Sequence, residues 1–295
     1  MITSHSNSRI RQIIQWQNKA KERRSAGIFL AEGFKMFEEV PQESILQVYV
    51  SEEALGRIGR ETRAERKLKA VGYETVTKEI FRKISDTQTP QGILCVVKRP
   101  CYTLEQLLQA ELPMLMILEN LQDPGNLGTI IRTGEAAGIT GLIMNSGTVD
   151  IFNPKTIRAT VGSVFRVPFL CVDSLSQTFA ELHRKGIRIY AAHLEGERYY
   201  DEFSYREPTA FLVGNEGNGL TGETAAQADQ YLKIPMEGRI ESLNAAVAAS
   251  LLMYEAHRQR RKAAGDLPGC EAAVPPVGLQ DHMGPACAGS RRTER

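Results

Sequence analysis

The chain has 295 residues, 42% of them hydrophobic and 24% charged, which suits a soluble globular protein of about two domains with a sizeable core. Its net charge of +1 removes any global electrostatic case for nucleic acid, so such a case must rest on local patches. Five cysteines without a C-x-x-C pair, five scattered histidines, no apolar leader and no run near the roughly 20 residues of a membrane span argue against a disulfide framework, a metal site and a membrane protein; free thiols in a reducing, cytoplasmic setting are expected.

Residues 1 to 26 are polar and basic, with Arg9, Arg11, Lys19, Lys21, Arg23 and Arg24 opposed only by Glu22. Ile10, Ile13 and Ile14 recur at helical spacing, which predicts one helix whose basic face is either solvated or laid on RNA phosphates. Residues 28 to 30 predict a short strand, Glu32-Gly33 a turn, and Phe34, Phe37 and Val40 a helix. Residues 45 to 51 predict a second strand by their β-branched and aromatic content. Residues 52 to 70 read as one charged helix, either a salt-bridged solvated face or a binding surface. "YETVT" and "GILCVVKR" are further strands and complete a small α/β domain, residues 1 to 98. "RPCYTLEQLLQAELP", with a proline near each end, is the expected linker, residues 99 to 112.

From residue 113 strand and helix signals alternate again. "MLMILEN", "TGLIMN", "VPFLCV", "IRIYAAH", "TAFLVGNE" and "QYLKIPM" are continuous apolar strands separated by helices, and a long helix closes the series near residue 262. Such runs predict an α/β domain on a mostly parallel sheet. Residues 263 to 295 lose all periodicity and are expected to be a disordered tail.

Three strand ends carry unusual chemistry, at the edge where ligands sit in parallel sheets. The first is "ENLQDPGNLGTIIRT": a turn at residues 123 to 126, then a helix with Leu127, Ile130, Ile131 and Gly134 facing the core and Gly138 ending it. Arg132 falls off that stripe, so packing does not require it; it is either a surface arginine or a functional cation. The second is "FLVGNEGNGL", with Gly214, Gly217 and Gly219 around Glu216. It is either a tight turn with an incidental glutamate or a loop whose glycines admit a ligand to the backbone; it matches neither dinucleotide nor phosphate-loop fingerprints. The third is "KIPMEGRIESLNAAVAASLLMYE", where Ser242 is the expected N-cap. Leu243, Ala246, Val247, Ser250, Leu251 and Tyr254 form one helical stripe, and the opposite face is also small or apolar. A helix apolar on both sides packs on its own sheet and against a second subunit, or lies at the centre of a monomer.

Together the three motifs, in order over residues 113 to 258, resemble the SpoU (TrmH-like) family of RNA ribose 2'-O-methyltransferases of the SPOUT class. "FLAEGFKMFEEV" and "TPQGILCVV" are similar to pieces of the RNA substrate-binding domain often fused to it. The resemblance implies an α/β fold with a deep trefoil knot, a homodimer, and S-adenosyl-L-methionine bound mostly by backbone groups near Gly214, Ile234 and Leu243, with Leu212, Gly217, Met236 and Asn244 beside them. It implies catalytic roles for Arg132, Asn120, Glu216, Ser242 and Asn244, no metal, and RNA as partner, ribosomal RNA in particular. Arg132 would act either as an assisted base or as a bidentate phosphate ligand that orients the ribose. "SLNAAVA" departs from the Val-Ser that usually follows the asparagine, which predicts altered packing with activity kept. Two alternatives stand beside this reading: a tRNA ribose methyltransferase, and a non-catalytic RNA-binding or ribosome-assembly protein on the same fold.

Overall fold

The structure, a computed structural model, describes residues 1–59 and 62–263. The expectation of a disordered tail lies, beyond Ala263, outside the described residues.

The basic N-terminus forms two helices, α1 (Ser8–Asn18) and α2 (Ala20–Ala26), where one was expected; Lys19 is extended and separates them. Arg23 is not on a solvated face. It is 4% exposed, donates to the carbonyls of Trp16 and Gln17, and pairs with Asp150 at 2.9 Å. There follow β1 (Ile28–Glu32), α3 (Phe34–Glu39) and β2 (Ile45–Ser51). The charged stretch after β2 is also two helices, α4 (Glu52–Arg57) and α5 (Arg63–Val71), each capped by a hydroxyl, Ser51 and Thr62. Glu53–Arg57 and Glu65–Lys69 ion pairs at one-turn spacing support the salt-bridged reading of this surface. Then come β3 (Glu74–Val76), α6 (Lys78–Ile84) and β4 (Ile93–Lys98). Sequence reading missed α6, whose signal is Thr77 capping a turn that buries Ile80, Phe81 and Ile84. The four strands run in the order β1-β4-β2-β3.

The expected linker is packed against the second sheet. It contains α7 (Leu104–Leu107), closed by a Thr103–Gln106 capping box. Leu107 is fully buried and fills the space that a side chain at Gly141 would need, and Tyr102 meets Phe169 edge-on with ring centroids 5.3 Å apart.

The second series is β5 (Met114–Leu118), α8 (Pro124–Ala137), β6 (Gly141–Asn145), α9 (Pro154–Thr160), β7 (Phe169–Val172), α10 (Leu175–Arg184), β8 (Arg188–Ala192), β9 (Arg198–Tyr199), β10 (Thr209–Val213), α11 (Gly222–Ala225), β11 (Gln230–Lys233) and α12 (Ala245–Ala263). The seven strands are ordered β7-β6-β5-β10-β8-β11-β9 and their pairings are parallel. Every residue of β5 and β10 is buried, as a two-sided central strand requires. The chain lays β6 and β7 on one side of β5, then β8, β10 and β11 on the other. The order reverses between β5 and β10, and the first two motif loops leave the sheet there.

α12 packs on α8 and β10 through Ala245, Ala249, Leu252 and Met253. Its other face is open, with Val247 48% and Tyr254 47% exposed. The two sheets share one hydrophobic core. At the junction the Phe29 and Phe152 rings meet at a tilt with centroids 4.7 Å apart, Arg99 lies 4.3 Å from the centre of the Phe152 ring, and Arg158 pairs with Asp86 at 2.7 Å.

Candidate active site

The Asp-Pro-Gly-Asn stretch is the start of α8, where a turn was expected. Asp123 is the N-cap and accepts from the Asn126 amide at 2.7 Å, and Pro124 occupies the first turn. The core stripe and the Gly138 cap are as the spacing predicts, with Gly138 left-handed. Gly128 has a structural use: a side chain there would sit 2.4 Å from the Ala159 Cβ and 2.8 Å from the Thr156 carbonyl, so it lets α9 approach α8.

The second loop folds on itself. Asn215 and Gly219 exchange two backbone hydrogen bonds of 2.9 Å, and the Asn215 side chain accepts from Gly217 and Asn218. A Cβ on Gly214 would lie 2.3 Å from Gly219 backbone, so the loop's own chain fills that space. This arrangement thrusts Glu216 toward α8. Its carboxylate accepts from the Gln122 and Asp123 amides and from the Asn126 side chain, each at 3.0 Å. Burial pushes the Glu216 carboxyl up, but the hydrogen bonds from Asn126, Gln122 and Asp123 outweigh it and hold the group below the usual carboxylate range. A carboxylate at a helix N-terminus is also favoured by the helix dipole.

The third loop reaches the same point. Asn126 Oδ1 accepts from Asn244 Nδ2 at 2.9 Å. Asn244 Oδ1 in turn accepts from the amides of Ala246 and Val247. Asn244, not Ser242, therefore caps α12. Ser242 is exposed and makes no hydrogen bond among the described residues. Asn126 thus joins Glu216 of one loop to Asn244 of another.

Asn120 serves a neighbouring junction. Among the described residues it is one of two non-glycine residues in the left-handed region, with φ 55°. Its amide donates to Asn145 Oδ1 and its Oδ1 accepts from Asn145 Nδ2, both at 2.9 Å. Its carbonyl accepts from Asn215 at 2.8 Å. The side chain is committed to the scaffold. Glu119, 4% exposed, accepts from the amide and hydroxyl of Thr221 and from Thr224, tying β5 to α11.

Arg132 lies on α8 about 9 Å along the axis from Asn126. It is exposed and makes no hydrogen bond or ion pair among the described residues. Among the residues expected at the cofactor, Leu212 is fully buried in the core and Gly217 is exposed. Ile234, Met236 and Leu243 are half-buried on the segment between β11 and α12. Residues 234–243 make no hydrogen bond among the described residues. The other residues of the segment are exposed, so its unspent N–H and C=O groups are open to a ligand held by backbone contacts, and the segment fits S-adenosylmethionine bound in that way.

Sequence reading passed over Asn126, Asn145 and Asn215. Asn126 carried a signal, since it follows the capping residue Asp123 by three and its side chain is free to reach other loops. Asn145 and Asn215 had only their place at strand ends.

Three strand-end loops tied by amide side chains, beside an arginine and a backbone segment that make no hydrogen bond among the described residues, mark the ligand-binding edge of a parallel α/β protein. Residues 113–254 match the SpoU rRNA Methylase family, and residues 7–95 match the MRM3-like substrate binding domain. The chain is 34% identical over 254 residues to the 23S rRNA (guanosine(2553)-2'-O)-methyltransferase RlmP of Bacillus subtilis, covering 86% of this chain and 97% of that one. The SpoU methyltransferase AviRb of Streptomyces viridochromogenes in complex with AdoMet superposes with a TM-score of 0.77 at 27% identity, over 86% of this chain and 98% of that one. An AdoMet-bound rRNA methyltransferase from Sinorhizobium meliloti superposes with a TM-score of 0.74 at 29% identity, over 87% of this chain and 97% of that one. The chain belongs to the SpoU family of RNA methyltransferases. It is an S-adenosylmethionine-dependent RNA 2'-O-methyltransferase.

Proposed function

We propose that this enzyme methylates a ribose 2'-hydroxyl in large-subunit ribosomal RNA, in the cytoplasm. The observation that carries the site assignment is the Glu216–Asn126–Asn244 chain of hydrogen bonds, which gathers the three loops. The identity to the Bacillus subtilis enzyme over nearly its whole length supports ribosomal RNA over transfer RNA.

S-adenosylmethionine supplies a methyl carbon already activated by the sulfonium charge. One carbon–sulfur bond breaks, one oxygen–carbon bond forms, and the hydroxyl proton is released. The protein has to align the two reactants and favour loss of that proton. Residues 234–243 offer the cofactor their main chain, with Gly214 and Leu212 at the adjoining strand end. Arg132 supplies a fixed cation. A guanidinium keeps its charge and matches phosphate oxygens in pairs, so its part is to grip the RNA phosphate and orient the ribose. Glu216, Asn120 and Asn244 hold the loops in register. Glu216 spends both oxygens on three N–H donors, which leaves it unsuited to accept a proton. Ser242 has no hydrogen-bond partner among the described residues and is placed to meet substrate.

Residues 1–98 form the RNA substrate-binding unit, 99–112 the packed connection and 113–262 the methyltransferase unit. The trefoil crossing lies where residues 234–244 carry the chain from β11 back to α12. A second copy of the chain covers the open face of α12. That face is an apolar groove of about 280 Å³ lined by Thr129, Val247, Ser250, Leu251 and Tyr254. Thr129 is one turn before Arg132, so a homodimer places Arg132 at the edge of the interface.

The test is transfer of labelled methyl from S-adenosylmethionine to ribosomal RNA, ribosomal subunits and transfer RNA from cells lacking the enzyme, followed by nucleoside mass spectrometry. Label on a ribose of large-subunit RNA is expected. Label on transfer RNA alone would overturn the substrate, and RNA binding with no transfer to any of them would favour an assembly protein.

A further inference from the structure

The junction between the two sheets holds a second cleft, remote in sequence from the three motif loops, with several polar side chains on its walls. It is a groove of about 270 Å³ lined by Glu32, Gly33, Lys35, Met36, Thr87, Thr89, Gln91, Arg158 and Val161. One wall comes from β1, α3 and the loop before β4. The other is the C-terminal end of α9.

The hydrogen-bond inventory of this groove is lopsided. Its carboxylate is spent: Glu32 accepts from the hydroxyls of Ser85 and Thr87 through one oxygen and from the Asp86 amide through the other. Its donors are not. Lys35 makes no hydrogen bond or ion pair among the described residues, and neither does the Thr89 hydroxyl. Gln91 uses only its oxygen, accepting from the Phe34 amide at 2.8 Å, which leaves its NH2 group unspent. Arg158 gives one nitrogen, Nη1, to Asp86 at 2.7 Å and keeps its remaining donors. With the Glu32 and Gln91 oxygens engaged, the side chains of the pocket offer spare cationic and neutral donors, which favour an anion with several acceptor oxygens.

The walls are also fixed before any ligand arrives. Glu32 clamps the 85–87 loop, and Gln91 clamps the start of α3. Val161 stands in the left-handed region with φ 52°, an outlier for a β-branched residue. Gly162 follows it, with the Glu39 side chain occupying the space a Cβ there would need. Strained backbone held by its surroundings gathers at ligand sites. The groove is tied to the catalytic helix as well. Glu135, one turn beyond Arg132 on α8, binds Arg166, and Arg166 also binds Glu39 at the far end of α3.

We propose that this groove is a phosphodiester-binding subsite that holds the RNA backbone between the two units, with Lys35 and Arg158 as its cations and Thr89 and Gln91 as its neutral donors. The proposal rests on RNA being the substrate, as argued above. It gives the first sheet a defined part in catalysis: it fixes the strand at a set reach from Arg132.

The test is a salt titration of full-length protein with a labelled fragment of large-subunit ribosomal RNA, alongside calorimetry with S-adenosylmethionine and with inorganic phosphate. Lys35→Ala and, separately, Thr89→Glu are expected to weaken RNA binding about tenfold, the effect of one charge-assisted hydrogen bond. Lys35→Ala should flatten the salt slope by about 0.7 to 0.9, Lys35→Arg should restore both quantities, and cofactor affinity should not change. Wild-type RNA affinity and slope in both variants would overturn the proposal, and if methyl transfer persists the functional reading survives that result. Loss of inorganic phosphate binding in Lys35→Ala with RNA affinity intact would assign the groove to a small phosphate compound and overturn the RNA subsite. Groove-dependent RNA binding without methyl transfer would leave the subsite standing and sink the catalytic reading.

Discussion

Glu216 shows how much a single side chain does at this site. It closes three hydrogen bonds across two loops and is held in its charged form by them. Glu216→Gln keeps the shape but replaces one acceptor oxygen with a donor that faces an amide. The expected outcome is a cofactor affinity at least about tenfold lower in calorimetry, with the fold retained. Because the folded carboxyl binds its proton less readily than an unfolded one, the clamp's stabilisation is complete above the unfolded value of about 4.3. It is lost as pH falls through the lowered folded value. Unfolding curves for wild type should therefore lose stability in that acid window, and the Glu216→Gln difference from wild type should shrink there. At this scale the sequence was legible in part. Glu216 and Asn244 announced themselves by their motifs. Asn126 carried only its spacing from Asp123, which does not distinguish a cap-proximal asparagine facing solvent from one that joins two other loops. Ser242 and Asn244 are both good caps, and the helix starts at the later one, whose Oδ1 takes the Ala246 and Val247 amides.

At the level of elements, the close contact of α8 and α9 depends on Gly128. Gly128→Ala places a methyl group 2.4 Å from Ala159 Cβ and 2.8 Å from a backbone carbonyl. Neither can yield cheaply, so the variant should lose about 1–3 kcal/mol in denaturant unfolding. A gain in stability, as expected for Ala over Gly on a free helix, would show that the helices are not in contact there. The apolar runs of the second sheet made its strands readable, since burial on both faces leaves no alternation to misread. The helices of the first unit were harder. Charged residues run through both turns and helices, so the end at Lys19 carried no change of pattern; the break between α4 and α5 was marked by Gly59 and the capping Thr62, and α6 by Thr77 ahead of Ile80 and Ile84, signals that the continuous charge obscured.

For the whole molecule, the two units are welded by a shared core and by buried charge, as the Arg23–Asp150 pair and the Phe29–Phe152 ring contact show. None of this was visible in the sequence, because Arg23 sits in a basic run and Asp150 in a loop. Strand order was equally hidden: period and composition identify a parallel sheet but not that β10 enters between β5 and β8. The open face of α12 was legible as excess apolar surface on the helix that follows the last strand of the second sheet. Val247→Asp puts a charge in the groove beside Leu251 and Tyr254. In sedimentation the wild type is expected to be a dimer and the variant to shift toward monomer while keeping its helical content. A wild-type monomer would contradict the dimer.

Arg132, which makes no hydrogen bond or ion pair among the described residues, is the side chain we assign to the transfer of a methyl group to RNA. The most direct test of that assignment is single-turnover methyl transfer to large-subunit ribosomal RNA by wild type and Arg132→Ala, each checked for folding and cofactor binding. Arg132 packs against nothing it would leave unfilled, so the account predicts unchanged stability and cofactor affinity with a rate reduced at least about a hundredfold. A variant that transfers methyl groups at the wild-type rate would contradict it.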